Sequence, residues 1–148
     1  MPRIERSAVL RWEGNVARGE GHVSADTGAF HDLPFSLPTR IGRAEGKTSP
    51  EELLAAAHGG CITMSLAGEL TSAGTPPGRL DVSVRIVMDE VEGQGHQILE
   101  SHVRVKAAVD GLSDDALQAA AERADKGCPF SQLLKRAGVN VQVTATLA

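Results

Sequence analysis

Between Ser49 and Gly74 the chain carries one long helical signal with a sharp start and a sharp stop. Ser49 is a favoured N-cap, Pro50 suits the first helical position, and Glu51 and Glu52 complement the positive end of the helix dipole. Ser49 and Glu52 also fit a capping box. The pattern continues through Leu53, Leu54, Ala57, Cys61, Met64 and Gly68 to about Ser72, and Gly74 with Pro76-Pro77 ends it. Gly59-Gly60 inside such a helix costs about 1 kcal/mol per Gly relative to Ala. Close backbone packing against another element is the expected compensation. Aromatics make up only 3% of the 148 residues. The core must therefore come from Val, Leu, Ile and Ala, with helices approaching closely, and a dimer interface is one place for that approach.

Strand patterns flank this helix. Ala8, Leu10 and Trp12 alternate with Val9, Arg11 and Glu13, Gly14-Asn15 turns the chain, and a second strand is expected from Val16 to Ser24. A third, Phe30 to Leu37, is interrupted by Pro34, which suggests an edge strand or a broken one, and residues 38–48 read as loop. Beyond the helix, Leu80, Val82, Val84, Ile86 and Met88 define one face of a strand. Gly93-Gln94-Gly95 makes a hairpin loop, and Val103, Val105, Ala107 and Val109 define the return. Ser113 caps a helix over 114–126 with Leu117, Ala120, Ala121 and Ala124 inward. Gly127 stops it, Pro129 opens a short helix to Ala137, and Val139, Val141, Val143 and Ala145 form a last strand. The order βββ-α-ββ-αα-β, with alternating faces, predicts an α+β fold of antiparallel sheet covered on one side, in a single domain 1–148.

The net charge is −4 and the pI about 5.7. A nucleic-acid partner calls for a basic excess, so none is expected. No apolar run reads as approaching the ~20 residues of a membrane span, and Met1 to Arg11 lacks the apolar stretch of a signal peptide. Two cysteines do not make a disulfide scaffold. The expected compartment is the cytoplasm, with thiols reduced and no membrane association.

Residues 42–48 resemble a phosphate-binding loop but fall one residue short, and the spacing is what makes the backbone N–H groups converge. Metal binding is not expected: Cys61, Cys128 and five His are scattered, and only His58 and Cys61 share a helix face. The thiols are the sharpest feature. Cys128 lies between a helix end and a helix start, where unpaired N–H groups favour a thiolate. Cys61 lies mid-helix, one turn after His58. Each residue also has an ordinary reading. A free Cys is usually a small buried hydrophobe, and a helical His is usually a packed side chain. Glu51 is then a helix-terminal charge, Arg40 a solvated cation, and Trp12 a core anchor with its N–H bonded to backbone.

Taken together, several blocks resemble the OsmC/Ohr family: Trp12-Glu13-Gly14, Thr39-Arg40, Thr48-Ser49-Pro50-Glu51-Glu52-Leu53-Leu54 through Ala57-His58-Gly59-Gly60-Cys61, and Gly127-Cys128-Pro129-Phe130-Ser131. The resemblance covers nearly the whole chain, and His58 aligns it with the OsmC branch. It implies a thiol-dependent peroxidase that reduces organic hydroperoxides with no cofactor: no metal, flavin or haem. It also implies an intertwined homodimer with sheets around long central helices. Cys61 matches the cysteine attacked by peroxide, and Cys128 the one that closes a disulfide with it. Arg40 and Glu51 match the charged pair that organises the thiolate, and His58 is a possible accessory. A small or protein-bound dithiol would be the reductant. Leu54, Met64 and Phe130 are the expected apolar substrate walls. The reading from a different class is a non-catalytic ligand-binding or structural dimer with inert cysteines. Helix geometry adds one condition. Glu51 and Cys61 are ten residues apart, so an unbroken helix separates them by ~15 Å along its axis. If Glu51 serves the thiolate, the helix breaks at Gly59-Gly60 or Glu51 comes from another subunit.

Overall fold

A computed structural model describes residues 2–148; Met1, the start of the stretch read above for a signal peptide, lies outside the described residues. The chain divides into two compact units, Met1–Pro50 and Glu51–Ala148.

The first unit holds β1 (Ala8–Glu13), β2 (Glu20–Ala25), β3 (Leu33–Phe35) and a short helix α1 (Leu37–Ile41). Its strands form an antiparallel sheet in the order β1-β2-β3. The helix replaces part of the expected loop. Ser36 caps it, with its hydroxyl accepting from the Thr39 N–H, and Pro38 stands in its first turn. Gly21 admits the Phe35 ring: a Cβ there would lie 2.3 Å from Phe35 Cζ. Trp12 donates its N–H to the Gly14 carbonyl at 2.8 Å and lies 6.0 Å from the Phe35 ring. It is not the expected core anchor, because it remains 40% exposed, and Val9 and Leu10 are also exposed. Every residue of β1 is exposed.

The second unit is built on α2 (Pro50–Ser72), which runs without a break as its caps and breakers predict. It is followed by β4 (Arg79–Val91), β5 (Gly95–Ala108), α3 (Asp114–Gly127), α4 (Pro129–Arg136) and β6 (Asn140–Leu147). The long hairpin pairs Val82 with Val105 and Val84 with Val103, and turns at Gly93 and Gly95, both at positive φ. The last strand departs from expectation: β6 pairs with β5 in parallel. The α3–α4 crossover carries the chain back to the same end of the sheet, and one-sided alternation reads the same in either direction. Edge strand β6 is closed by side chains of α3. Gln118 donates to the Val143 carbonyl at 3.0 Å and accepts from the Ala145 N–H at 2.8 Å, and Asp114 accepts from the Leu147 N–H at 2.7 Å.

His58, Ile62, Leu66 and Leu70 recur every fourth residue on α2, and all are buried. The three apolar ones pack with Val103, Val105 and Ala107 of β5 and with Leu117, Ala120, Ala121 and Ala124 of α3. The opposite row, Glu52, Ala56, Gly60, Met64 and Gly68, is exposed. Gly59 meets the expectation of close packing, since a Cβ there would lie 3.1 Å from Val84 Cγ2, whereas Gly60 faces open space in the chain. One exclusion needs correcting. By length and composition α2 is apolar enough to cross a membrane, because Ala, Gly and Thr leave only Glu51, Glu52 and Glu69 as charged breaks. Its Ile62, Leu66 and Leu70 instead serve the core of this unit.

Candidate functional site

Cys61 and Cys128 are brought together. Both are free thiols, and their sulfurs lie 2.9 Å apart. Cys61 sits at the middle of α2, half-buried, while Cys128 is fully buried. Cys128 is the N-cap of α4, its sulfur accepting from the Ser131 N–H at 3.5 Å. The Phe130 backbone and the Ser65 side chain favour the charged form of the Cys61 sulfur. The start of α4 therefore acts on both sulfurs, not on Cys128 alone. Burial, and then the neighbouring Cys128, push the Cys61 thiol above the ordinary thiol range, while the Phe130 and Ser65 bonds pull it down.

Behind this pair lies a buried polar cluster. His58 is completely buried, with Nδ1 2.8 Å from Ser101 Oγ and Nε2 2.7 Å from Ser131 Oγ. Burial is the main cause that holds its pKa below the ordinary histidine value. Asp125 opposes the shift and Lys135 adds to it. Asp125 and Lys135 are themselves ion-paired.

Glu51 lies half-buried in the first turn of α2, and the unbroken helix leaves it about 15 Å along the axis from Cys61. Arg40 is an exposed residue in the last turn of α1, in the first unit. Leu54 is half-buried, while Met64 and Phe130 are exposed, at 73% and 40%. Among the described residues no three His, Cys, Asp or Glu side chains gather to hold a metal ion. Ser65, Ser101 and Ser131 were missed as site residues. Ser131 stands inside the Cys-Pro-Phe-Ser block, whereas Ser101 carries no local signal.

A family model described as OsmC-like protein matches residues 42–144. The chain is 34% identical over 132 residues to proteins named Peroxiredoxin OsmC from Escherichia coli (strain K12) and Shigella flexneri, covering 89% of this chain and 91% of each relative. An organic hydroperoxide resistance protein from Elizabethkingia anophelis superposes with a TM-score of 0.78 at 22% identity over 100% of both chains. An organic hydroperoxide resistance protein OsmC from Legionella pneumophila superposes with a TM-score of 0.76 at 19% identity, covering 97% of this chain and 99% of that one. OhrB of Bacillus subtilis gives a TM-score of 0.70 at 23% identity, covering 96% of this chain and 98% of that one.

Proposed function

The chain belongs to the OsmC family, and from that premise we propose that it is a thiol peroxidase that reduces organic hydroperoxides. The observation that carries the reading is the 2.9 Å separation of two free sulfurs held at one helix start. The names of the relatives, peroxiredoxin and organic hydroperoxide resistance protein, support the substrate class.

The cycle balances with these two thiols. The Cys61 thiolate attacks the distal peroxide oxygen, the O–O bond breaks, and the leaving alkoxide takes a proton to become the alcohol. Cys61 is left as a sulfenic acid. Cys128 then attacks the Cys61 sulfur; its thiol proton leaves with the sulfenic hydroxyl as water, and the disulfide forms. An external dithiol restores both thiols by exchange. Arg40 and Glu51 take the roles the resemblance implies, a guanidinium that favours the thiolate and a carboxylate that fixes it. Leu54, Met64 and Phe130 would bury an alkyl chain, worth about 25 cal/mol per Å². Bulky organic hydroperoxides are therefore expected to outpace hydrogen peroxide in kcat/KM.

The test is sulfenic-acid trapping after one equivalent of cumene hydroperoxide. Cys61→Ser should trap nothing, and Cys128→Ser should trap a sulfenic acid yet fail to turn over. Equal trapping in Cys61→Ser and wild type would sink the assignment.

Glu51 cannot reach Cys61 along its own unbroken helix, so its role requires a second copy. The exposed Glu52, Ala56, Gly60, Met64 and Gly68 row supports a two-fold dimer packed helix on helix. In it each thiol pair would meet Glu51 of the partner subunit. Mixing inactive Cys61→Ser and Glu51→Ala chains should restore part of the activity. No recovery in verified heterodimers rejects the shared site.

A further inference from the structure

His58, Ser101 and Ser131 are each fully buried beside an aliphatic core, at 0% exposure. Polar groups in such a place are costly unless bonded, and here both ring nitrogens have a serine partner. The three side chains join β5, α2 and α4 at the point where the sulfurs meet. His58 stands one turn before Cys61 on α2. Ser131 holds Cys128 through its backbone N–H and His58 through its hydroxyl. Helix α4 is also tied back to α3, where Gln132 donates to the Lys126 carbonyl at 3.0 Å and the Cys128 N–H donates to the Asp125 carbonyl at 3.3 Å, but its burial is slight. It is eight residues long, only Ser131 and Leu134 in it are buried, and Phe130 and Leu133 are exposed.

We propose that His58 is a positioning residue for disulfide closure: by gripping Ser131 it holds the first turn of α4, and with it Cys128, against Cys61, while Ser101 fixes the ring from β5. The proposal rests on the peroxidase reading above. His58 gives and takes no proton in the step. The thiol proton of Cys128 departs with the sulfenic hydroxyl as water, and the sulfur–sulfur bond replaces the S–OH bond. The bond between His58 and Ser131 acts only by keeping the attacking sulfur in reach.

Ser131→Ala removes one oxygen and leaves the fold of α4 its apolar contact at Leu134. In single turnover with cumene hydroperoxide, sulfenic-acid formation at Cys61 should change by less than about threefold, while its conversion to the disulfide should slow about tenfold, the effect of one hydrogen bond lost in a dry site. Ser131→Thr, which keeps the hydroxyl, should restore closure, and His58→Leu should match Ser131→Ala. A second arm needs no peroxide. In a glutathione redox buffer, the equilibrium constant for the Cys61–Cys128 disulfide should fall about tenfold in Ser131→Ala. If wild type forms no sulfenic acid, the peroxidase reading fails, yet the redox-buffer arm still tests the positioning. Unchanged closure and an unchanged equilibrium in Ser131→Ala, or equal slowing of both peroxide steps, would overturn the proposal.

Discussion

Acid should weaken this chain through one imidazole. Burial is the main cause that keeps His58 neutral in the fold, whereas in the unfolded chain it takes up a proton near the ordinary value of 6.5. Above that pH both states are neutral and His58 adds no slope. As pH falls through 6.5 the unfolded chain gains a proton that the folded chain refuses, so stability is lost until pH reaches the depressed folded value. The loss between pH 7 and 5 has an upper bound of about 2 kcal/mol, set by the unfolded value and 1.36 kcal/mol per pH unit. That is a large share of the roughly 5–15 kcal/mol that holds a domain together. The assay is urea unfolding at pH 7 and pH 5 of wild type and His58→Gln, with thiols reduced. The other ionisable groups are common to both proteins, and the influence of Asp125 and Lys135 on the His58 ring is part of the difference measured. His58→Gln should lose up to about 2 kcal/mol less than wild type on acidification. Parallel pH dependence in the two proteins would refute the account.

Cys128→Ala removes a sulfur that raises the Cys61 thiol, so the pH midpoint for alkylation of Cys61 should move down; an unchanged or higher midpoint counts against the coupling. Gly60→Ala meets open space in the chain and should gain about 1 kcal/mol of helix propensity, yet shift sedimentation toward monomer if that row packs on a second copy. Gly59→Ala, 3.1 Å from Val84 Cγ2, should give no such gain and leave association unchanged. Gln118→Ala strips two hydrogen bonds from β6; a cost of about 1–3 kcal/mol and faster aggregation on heating are expected, and unchanged urea midpoints would contradict it.

Helix α2 was legible to its ends because capping residues and Gly-Pro breakers are local chemistry. The β4–β5 hairpin was legible for the same reason, since alternation and turn glycines lie in one continuous stretch. Helix α1 was not, because its five residues are too few to show a period. Nor was the direction of β6, which depends on the crossover rather than on its own residues. The cysteines are separated by 67 positions, and no periodicity joins them; two motif blocks suggested the pair. Ser101 looked like any polar residue in a strand. Its burial is set by the inward face it shares with Val103 and Val105, and its purpose by a ring on another element.

The side chains of α3 along β6 also limit how many neighbours this sheet can take. In the order β4-β5-β6, one edge is occupied by Gln118 and Asp114, which answer the strand's own amides and carbonyls, and only the β4 edge can accept a further strand. The sheet is thus monovalent. Two such edges can meet and satisfy each other, after which no edge of this sheet is left for a third strand. Edge-on growth would require α3 to lift away first, which ties resistance to polymerisation to the stability of a helix on the opposite side of the sheet from the open edge.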